Sequence, residues 1–315
     1  MGQDVCLLRK KSSAYSSDYL QEVIRSPIVV TQLENLMVGS TFKRVNVEQI
    51  KSLKVPMPGA DEQRAIAEVL SDVDTLITAL DRLIAKKRAI KQGAMQQLLT
   101  DQTRLPGFSG EWEVKTVEDA FRFLQTASNS RSDLSRDGNV KYIHYGDIHT
   151  KWSTFLDCEG DDLPLIQEAR LPKVPFLEDG DLVMADASED YEGIGASVEV
   201  KNATGRSVVA GLHTLLLRGD KDLLADGFKG YIQYIPSFKS ALIKIATGIS
   251  VYGIAKSKVQ QISIHLPPLP EQRAIAAVLS DMDAEIAALE ARRDKTRALK
   301  QGMMQELLTG KIRLI

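Results

Sequence analysis

Glu62–Thr100 reads EQRAIAEVLSDVDTLITALDRLIAKKRAIKQGAMQQLLT, and Glu271–Thr309 reads EQRAIAAVLSDMDAEIAALEARRDKTRALKQGMMQELLT. Aligned without a gap at an offset of 209, the two rows agree at 25 of 39 positions. Apolar residues recur at a four-three spacing: Ile66, Leu70, Val73, Ile77 and Leu80 in the first copy, Ile275, Leu279, Met282, Ile286 and Leu289 in the second. That spacing lays an a/d seam along one side of a helix. Two similar seams in one chain satisfy each other most simply by packing together, antiparallel. Two unrelated amphipathic helices on separate cores are the alternative, but runs of about 35 residues outlast most globular helices. At about 1.5 Å per residue each would extend about 55 Å, the dimensions of a spacer. Asp61 is placed to cap the first helix, and Pro270 opens the second where a missing donor costs nothing. Thr309-Gly310 supplies a left-handed stop, while Gly93 and Gly302 weaken equivalent turns.

The offset reaches back beyond the helices. Gly2 falls on Gly211, Leu8-Arg9 on Leu217-Arg218, Tyr19 on Phe228, Val23 on Ile232, Gly39 on Gly248 and Leu53 on Ile262. The repeat therefore comprises a globular piece and a helix. Residues 107–315 form a complete copy, and the first copy lacks a counterpart of 107–209. The expected organisation is a remnant over 1–55, a helix over 56–106, a complete globular domain over 107–268 and a second helix over 269–315.

Within the complete domain, Val140–Tyr145, Asp181–Met184 and Leu212–Leu217 read as short strands punctuated by glycines. Phe228–Ile235 and Phe238–Ala246 read as helical. The fold class is α+β with two long antiparallel coiled-coil helices. Pro56-Met57-Pro58-Gly59 and Pro267-Pro268-Leu269-Pro270 are stiff joints to each helix.

Composition narrows the function. A 43% hydrophobic content over 315 residues supports two globular units, and a net charge of −2 advertises neither a nucleic-acid nor a membrane partner. Cys6 and Cys158 are too few for a disulfide frame or a zinc site. No apolar run of membrane length and no leader is seen, so a cytoplasmic location is expected. Phosphate-loop, dinucleotide-loop and HExxH patterns are absent, and Gly193-Ile194-Gly195 alone does not suggest a nucleotide. His144 and His149 lack further ligands for a metal, and Asp186, Glu189, Asp190 and Glu192 lack the lysine of a nuclease core. No catalytic site and no metal site is expected.

The stretch 141–152, KYIHYGDIHTKW, interleaves Tyr142, Tyr145 and Trp152 with Lys141, His144, His149 and Lys151. Aromatic and basic groups alternating at a loop edge suit phosphate and base contacts, though an ordinary edge strand also carries them. Residues 107–265 hold 17 Lys and Arg against 23 Asp and Glu, so this domain cannot bind DNA by phosphate neutralisation alone.

The duplicated EQRAIAxVLSDxD…KQGxMQxLLT segments resemble the specificity subunits of type I restriction–modification enzymes. So do Tyr142–Ile148 (YIHYGDI), Gly180–Asp190 (GDLVMADASED), Val208–Arg218 (VVAGLHTLLLR) and Gly248–Gln272, and together these cover nearly the whole chain. The resemblance implies target-recognition domains joined by the two long helices, each reading half of a split site on double-stranded DNA. Candidate DNA contacts are then Lys141, Tyr142, Tyr145, His149, Lys151, Trp152, Ser188, Tyr191, His213, Tyr252 and Lys256. It implies docking of methyltransferase subunits, and through them a restriction subunit. Residues repeated outside the seam, namely Gln63, Arg64 and Asp72 with their counterparts Gln272, Arg273 and Asp281, are the candidates for that docking. No cofactor belongs to this chain; S-adenosylmethionine, ATP and Mg²⁺ belong to the partners.

A full member begins with a complete first recognition domain, so the chain reads as a truncated, non-catalytic specificity subunit. Two chains could associate, each supplying one reader, to recognise a palindromic target. A silent cassette that binds methyltransferase subunits without reading DNA, and a nuclease or methylase carrying a coiled coil, are the other readings.

Overall fold

The structure is a computed structural model that describes residues 5–37, 44–191 and 193–314, with the backbone but not the side chain of His149. Gly2 and Gly39, which entered the repeat, and Glu192, which entered the acidic cluster, lie outside the described residues. The chain divides into two compact units, Met1–Arg88 with Ala284–Ile315 and Ala89–Asp283.

The first unit is helical. It holds α1 (Ser17–Arg25), α2 (Pro27–Leu36) and α3 (Val47–Lys51), the part of α4 (Ala60–Leu98) up to Arg88 and the part of α9 (Leu269–Leu308) from Ala284. Local sequence accounts for the starts: Ser16 accepts from the Tyr19 amide, Pro27 opens α2, and Asn46 and Gln49 form a capping box. Asp61 lies inside the first turn of α4 and pairs with Arg64, so it is not the cap; Gly59 supplies the carbonyl that starts the helix. Gly310 takes the left-handed conformation just beyond α9 (φ 71°), as its position after Thr309 requires.

The core of this unit joins Tyr19, Val23 and Val29 to Ile66, Ala67 and Leu70 on α4 and to Met304, Leu307 and Leu308 on α9. Residue numbers rise along α4 as they fall along α9: Glu62 pairs with Arg313 at 2.5 Å, Asp74 with Lys300 at 2.6 Å, and Asp81 with Arg297 at 2.9 Å. The helices are therefore antiparallel. Their seam is not apolar throughout, because Val73 and Ile77 are only half-buried and carboxylate–cation pairs line the stretch between. Val29 is buried, but Val30 and Met37 are exposed, and Val5, Leu7 and Leu8 are 66%, 55% and 56% exposed.

Among the described residues the named strands all lie in the second unit. A five-stranded sheet runs β2 (Phe121–Leu124), β10 (Thr214–Gly219), β6 (Leu182–Ala185), β8 (Ser197–Lys201), β4 (Phe155–Asp157), antiparallel except for the last pair. A second sheet places β3 (Val140–Ile143) between β5 (Leu165–Ile166), antiparallel, and β9 (Val208–Ala210), parallel. Two-stranded ribbons pair β1 (Glu113–Thr116) with β12 (Ser263–Leu266), and β7 (Ala187–Ser188) with β11 (Tyr252–Gly253). Short helices α5 (Val117–Ala120), α6 (Tyr145–Lys151), α7 (Pro236–Ile245) and α8 (Lys256–Gln260) connect them. The helical reading of 228–246 corresponds to a 3₁₀ segment, Lys229–Tyr234, followed by α7. The stretch 141–152 is no edge: it is a central strand followed by α6.

Both faces of the large sheet are covered, which explains why LVMA and TLLL lack polar alternation. Leu182, Met184, Leu215 and Leu217 point into one core with Phe228, Tyr231 and Phe238. Val183, Ala185 and Leu216 point into another with Ile148, Leu156 and Val198. The first of these cores also takes in Leu98 and Leu99 at the end of α4 and Ile275, Ala276 and Leu279 of α9.

Contacts of the first unit recur here at the offset of 209. Lys91 pairs with Asp283, and Arg104 with Glu271 at 2.5 Å, repeating Lys300–Asp74 and Arg313–Glu62. The glutamines repeat most closely. Gln63 accepts from the Ser16 amide at 2.9 Å and donates to the Pro58 carbonyl at 2.8 Å. Gln272 accepts from the Ala225 amide at 2.9 Å and donates to the Pro267 and Leu223 carbonyls at 2.8 Å. Both are buried, so the expectation that Gln63 and Gln272 face a partner is corrected. Each side-chain amide satisfies backbone groups where a globular piece meets its helix, and that requirement explains its recurrence.

Candidate nucleic-acid interface

Tyr142 sits at the centre of β3 and is fully buried. Its hydroxyl donates to the Asn129 carbonyl at 2.7 Å and accepts from the Leu212 amide at 2.8 Å. A Cβ on Gly211 would fall 2.1 Å from the Tyr142 ring, so only glycine lets the chain pass there. Burial pushes the Tyr142 phenol up. Tyr142 therefore cannot touch DNA; it fixes the turn 211–214, and the tip of that turn is His213. Tyr142→Phe is expected to leave the half-buried Leu212 amide without this partner and to cost about 1–3 kcal/mol, measured by chemical denaturation. Unchanged stability would show that the turn is held by other contacts.

His213 has φ 56°, the left-handed region that a non-glycine residue rarely occupies. Its carbonyl accepts from the Asp186 amide at 3.0 Å, and its Nδ1 lies 3.3 Å from Asp186 Oδ1. The Tyr145 ring packs edge-on against the imidazole, 5.3 Å between centroids. Asp186 occupies the break between β6 and β7, where its carbonyl accepts from the Ile254 amide at 2.8 Å. Burial pushes its carboxyl above the ordinary value, and His213 opposes that shift. Behind Tyr145, His144 is buried with Nδ1 accepting from the Gly146 amide at 3.2 Å, and burial, then Arg131, holds its pKa down.

Beside this pair, β7 and β11 bring Ser188 opposite Tyr252, and the Tyr252 ring stacks on Tyr191 with centroids 4.0 Å apart. Ser188 is buried, its Oγ accepting from the Asp190 amide, so it supports the loop rather than facing solvent. A further loop, closed by paired hydrogen bonds between Thr247 and Gly253 at 2.9 and 2.7 Å, presents Ile249 at 93% exposure. Gly248 has φ 138° with the Val251 carbonyl 1.9 Å from where a Cβ would lie, which restricts that position to glycine.

The remaining candidates scatter. Lys141 donates to the Cys158 carbonyl at 2.6 Å, a structural bond. Trp152 is partly buried against the core that contains Ile148, with Lys151 over its ring. Lys151 lines a cleft of about 620 Å³ with Arg131 and Arg136. Lys256 lies over Phe123 and lines another cleft, of about 560 Å³, with Arg122 and Arg218. The side chain of His149 lies outside the described residues. Among the candidates, Tyr145 packs with His213 and Tyr191 with Tyr252, two ring pairs partly open to solvent, and Asp186 and Ile249 are additions that spacing did not reveal. The strained backbone of His213 and the rigid closure around Ile249 have no sequence signal beyond nearby glycines.

Elsewhere the side chains offer little chemistry. Burial pushes the Cys158 thiol up to about 12, away from thiolate reactivity. Among the described residues no cluster of His, Cys, Asp and Glu is placed to hold a metal ion, and no helix is long and apolar enough to cross a membrane.

The chain is similar to known proteins along nearly its whole length. A putative specificity subunit of the type I restriction enzyme MjaX from Methanocaldococcus jannaschii is 26% identical over 99% of this chain and 72% of its own. The MjaVIII specificity subunit from the same organism is 25% identical over 90% of this chain and 67% of its own. The crystal structure of a type I restriction–modification system S subunit from M. genitalium superposes with a TM-score of 0.58 at 14% identity, covering 92% of this chain and 72% of that one, a likeness of fold. The family model described as type I restriction modification DNA specificity domain matches residues 1–92 and 208–296. Since that match takes in more than half of its residues, the chain belongs to the type I restriction modification DNA specificity domain family.

Proposed function

We propose that this chain is the non-catalytic sequence-recognition and scaffold subunit of a cytoplasmic type I restriction–modification complex. The segments that carry Tyr145, Tyr191, His213, Ile249 and Tyr252 read one half of a split DNA target. With an excess of carboxylates over the domain, readout rests on base-edge and apolar contacts, while phosphate neutralisation comes from partners. Methyltransferase subunits dock on the long helices and bring S-adenosylmethionine; the restriction subunit, with ATP and Mg²⁺, joins through them. The chain spans about 70% of the length of these relatives.

The observation that carries the docking assignment is what remains when internal duties are removed from the repeat. Gln63 and Gln272 are buried, and Lys91 and Lys300 are engaged within the chain. Arg64, Asp72, Arg273 and Asp281 repeat yet stay exposed. Two equivalent surfaces of this kind suit two copies of one partner. Arg64→Glu with Arg273→Glu is expected to lower co-purification of a type I methyltransferase subunit about tenfold or more while leaving the melting temperature within a degree or two. Full co-purification would remove these arginines from the interface.

The reading of DNA is tested by fluorescence anisotropy with randomised and selected duplexes. The assembled complex should prefer selected over randomised duplexes, and the methyltransferase subunit alone should not. Equal preference in both samples would refute it.

A further inference from the structure

Asp186 and His213 are held to each other twice, through the backbone bond from the Asp186 amide and through the Oδ1–Nδ1 contact at 3.3 Å. A carboxylate can only accept, so the hydrogen of the neutral imidazole resides on Nδ1. Tyr145 packs against the ring, and His144, the next titratable group on that side, is turned to Gly146 and Arg131 and makes no bond to His213. The ring side chain remains 52% exposed. Its other nitrogen, Nε2, has no partner among the described residues and is then an open acceptor on this turn.

Resting on the DNA-reading function above, we propose that His213 is a specificity-determining residue whose Nε2 accepts from an exocyclic amine in the major groove, N6 of adenine or N4 of cytosine, and that Asp186 is the positioning residue that sets its tautomer. A donor-only side chain at this place would select the carbonyl-bearing bases instead. The left-handed backbone of His213 is consistent with this role, because strain of that kind persists where the surrounding structure enforces it.

The test selects bound sequences from a pool of randomised duplex DNA with the complex of chain and methyltransferase subunit, at neutral pH. His213→Gly removes the ring and suits the left-handed backbone, so folding is preserved. It should lose discrimination at one position of the motif, about 5- to 150-fold, with the other positions unchanged. Asp186→Asn can donate to Nδ1 and leave the hydrogen on Nε2; at the same position preference should move from adenine or cytosine to guanine or thymine. A merely structural role for Asp186 would weaken every position alike, and that result would overturn the positioning claim. Unaltered discrimination in His213→Gly would overturn the assignment of His213. If the wild-type complex selects no motif, the DNA-reading function itself fails, and this inference with it.

Discussion

Leu279→Asp is expected to unfold the larger unit at physiological temperature. Leu279 is fully buried among Leu98, Phe228 and Ile275. Losing a buried leucine costs about 3–5 kcal/mol, and a carboxylate in its place adds the cost of an unpaired buried charge. The sum is comparable to the whole stability of a typical domain, about 5–15 kcal/mol. Leu70, its counterpart at the offset of 209, lies in the smaller core with Tyr19 and Met304. The two leucines serve different cores, so alanine versions of both changes should add, within about 0.5 kcal/mol, in denaturant titrations. A strongly non-additive pair would mean that they stabilise one shared seam, the arrangement the heptad spacing alone suggests.

The second large effect is expected at Lys229→Met. Glu199 is nearly fully buried; its carboxylate accepts from the Gly227 amide at 2.6 Å and the Gly230 amide at 2.8 Å, with Lys229 Nζ 3.6 Å away. Burial pushes the Glu199 carboxyl up, and Lys229 is the first influence pulling it back. Removing the lysine strands a buried charge and should cost about 3–5 kcal/mol at neutral pH. The sign of the pH dependence follows from the raised value. A carboxyl that binds its proton more readily folded than unfolded gains stability as pH falls through its folded pKa, and that gain is complete below the unfolded one. Part of the loss in Lys229→Met should therefore be recovered when stability is measured at mildly acidic instead of neutral pH, because the raised carboxyl of Glu199 takes up a proton as pH falls. An equal loss at both pH values would show that the lysine acts by packing instead.

The long helices, their pairing and the α+β character of the complete domain were legible because each rests on periodicity or on the repeat. The side on which repeated residues lie was less legible. Gln63 and Gln272 read as surface because they repeat outside the apolar seam, yet each meets the backbone polar groups left at a proline-rich joint, and burial follows from that demand. Tyr142 shows the same limit. An aromatic beside lysines suits nucleic acid, but a tyrosine in a central strand needs a partner for its hydroxyl, and the Leu212 amide supplies it. Pairing of His213 with Asp186 is long-range and depends on a left-handed residue, so no local pattern announces it.

Mapping of methylated DNA in cells that carry a type I methyltransferase subunit, with and without this chain, tests sequence recognition most directly. Recognition by this chain requires a methylated motif that appears only when the chain is present and that loses discrimination at one position in His213→Gly. Methylation without a motif, from a complex that forms at full yield, would contradict it.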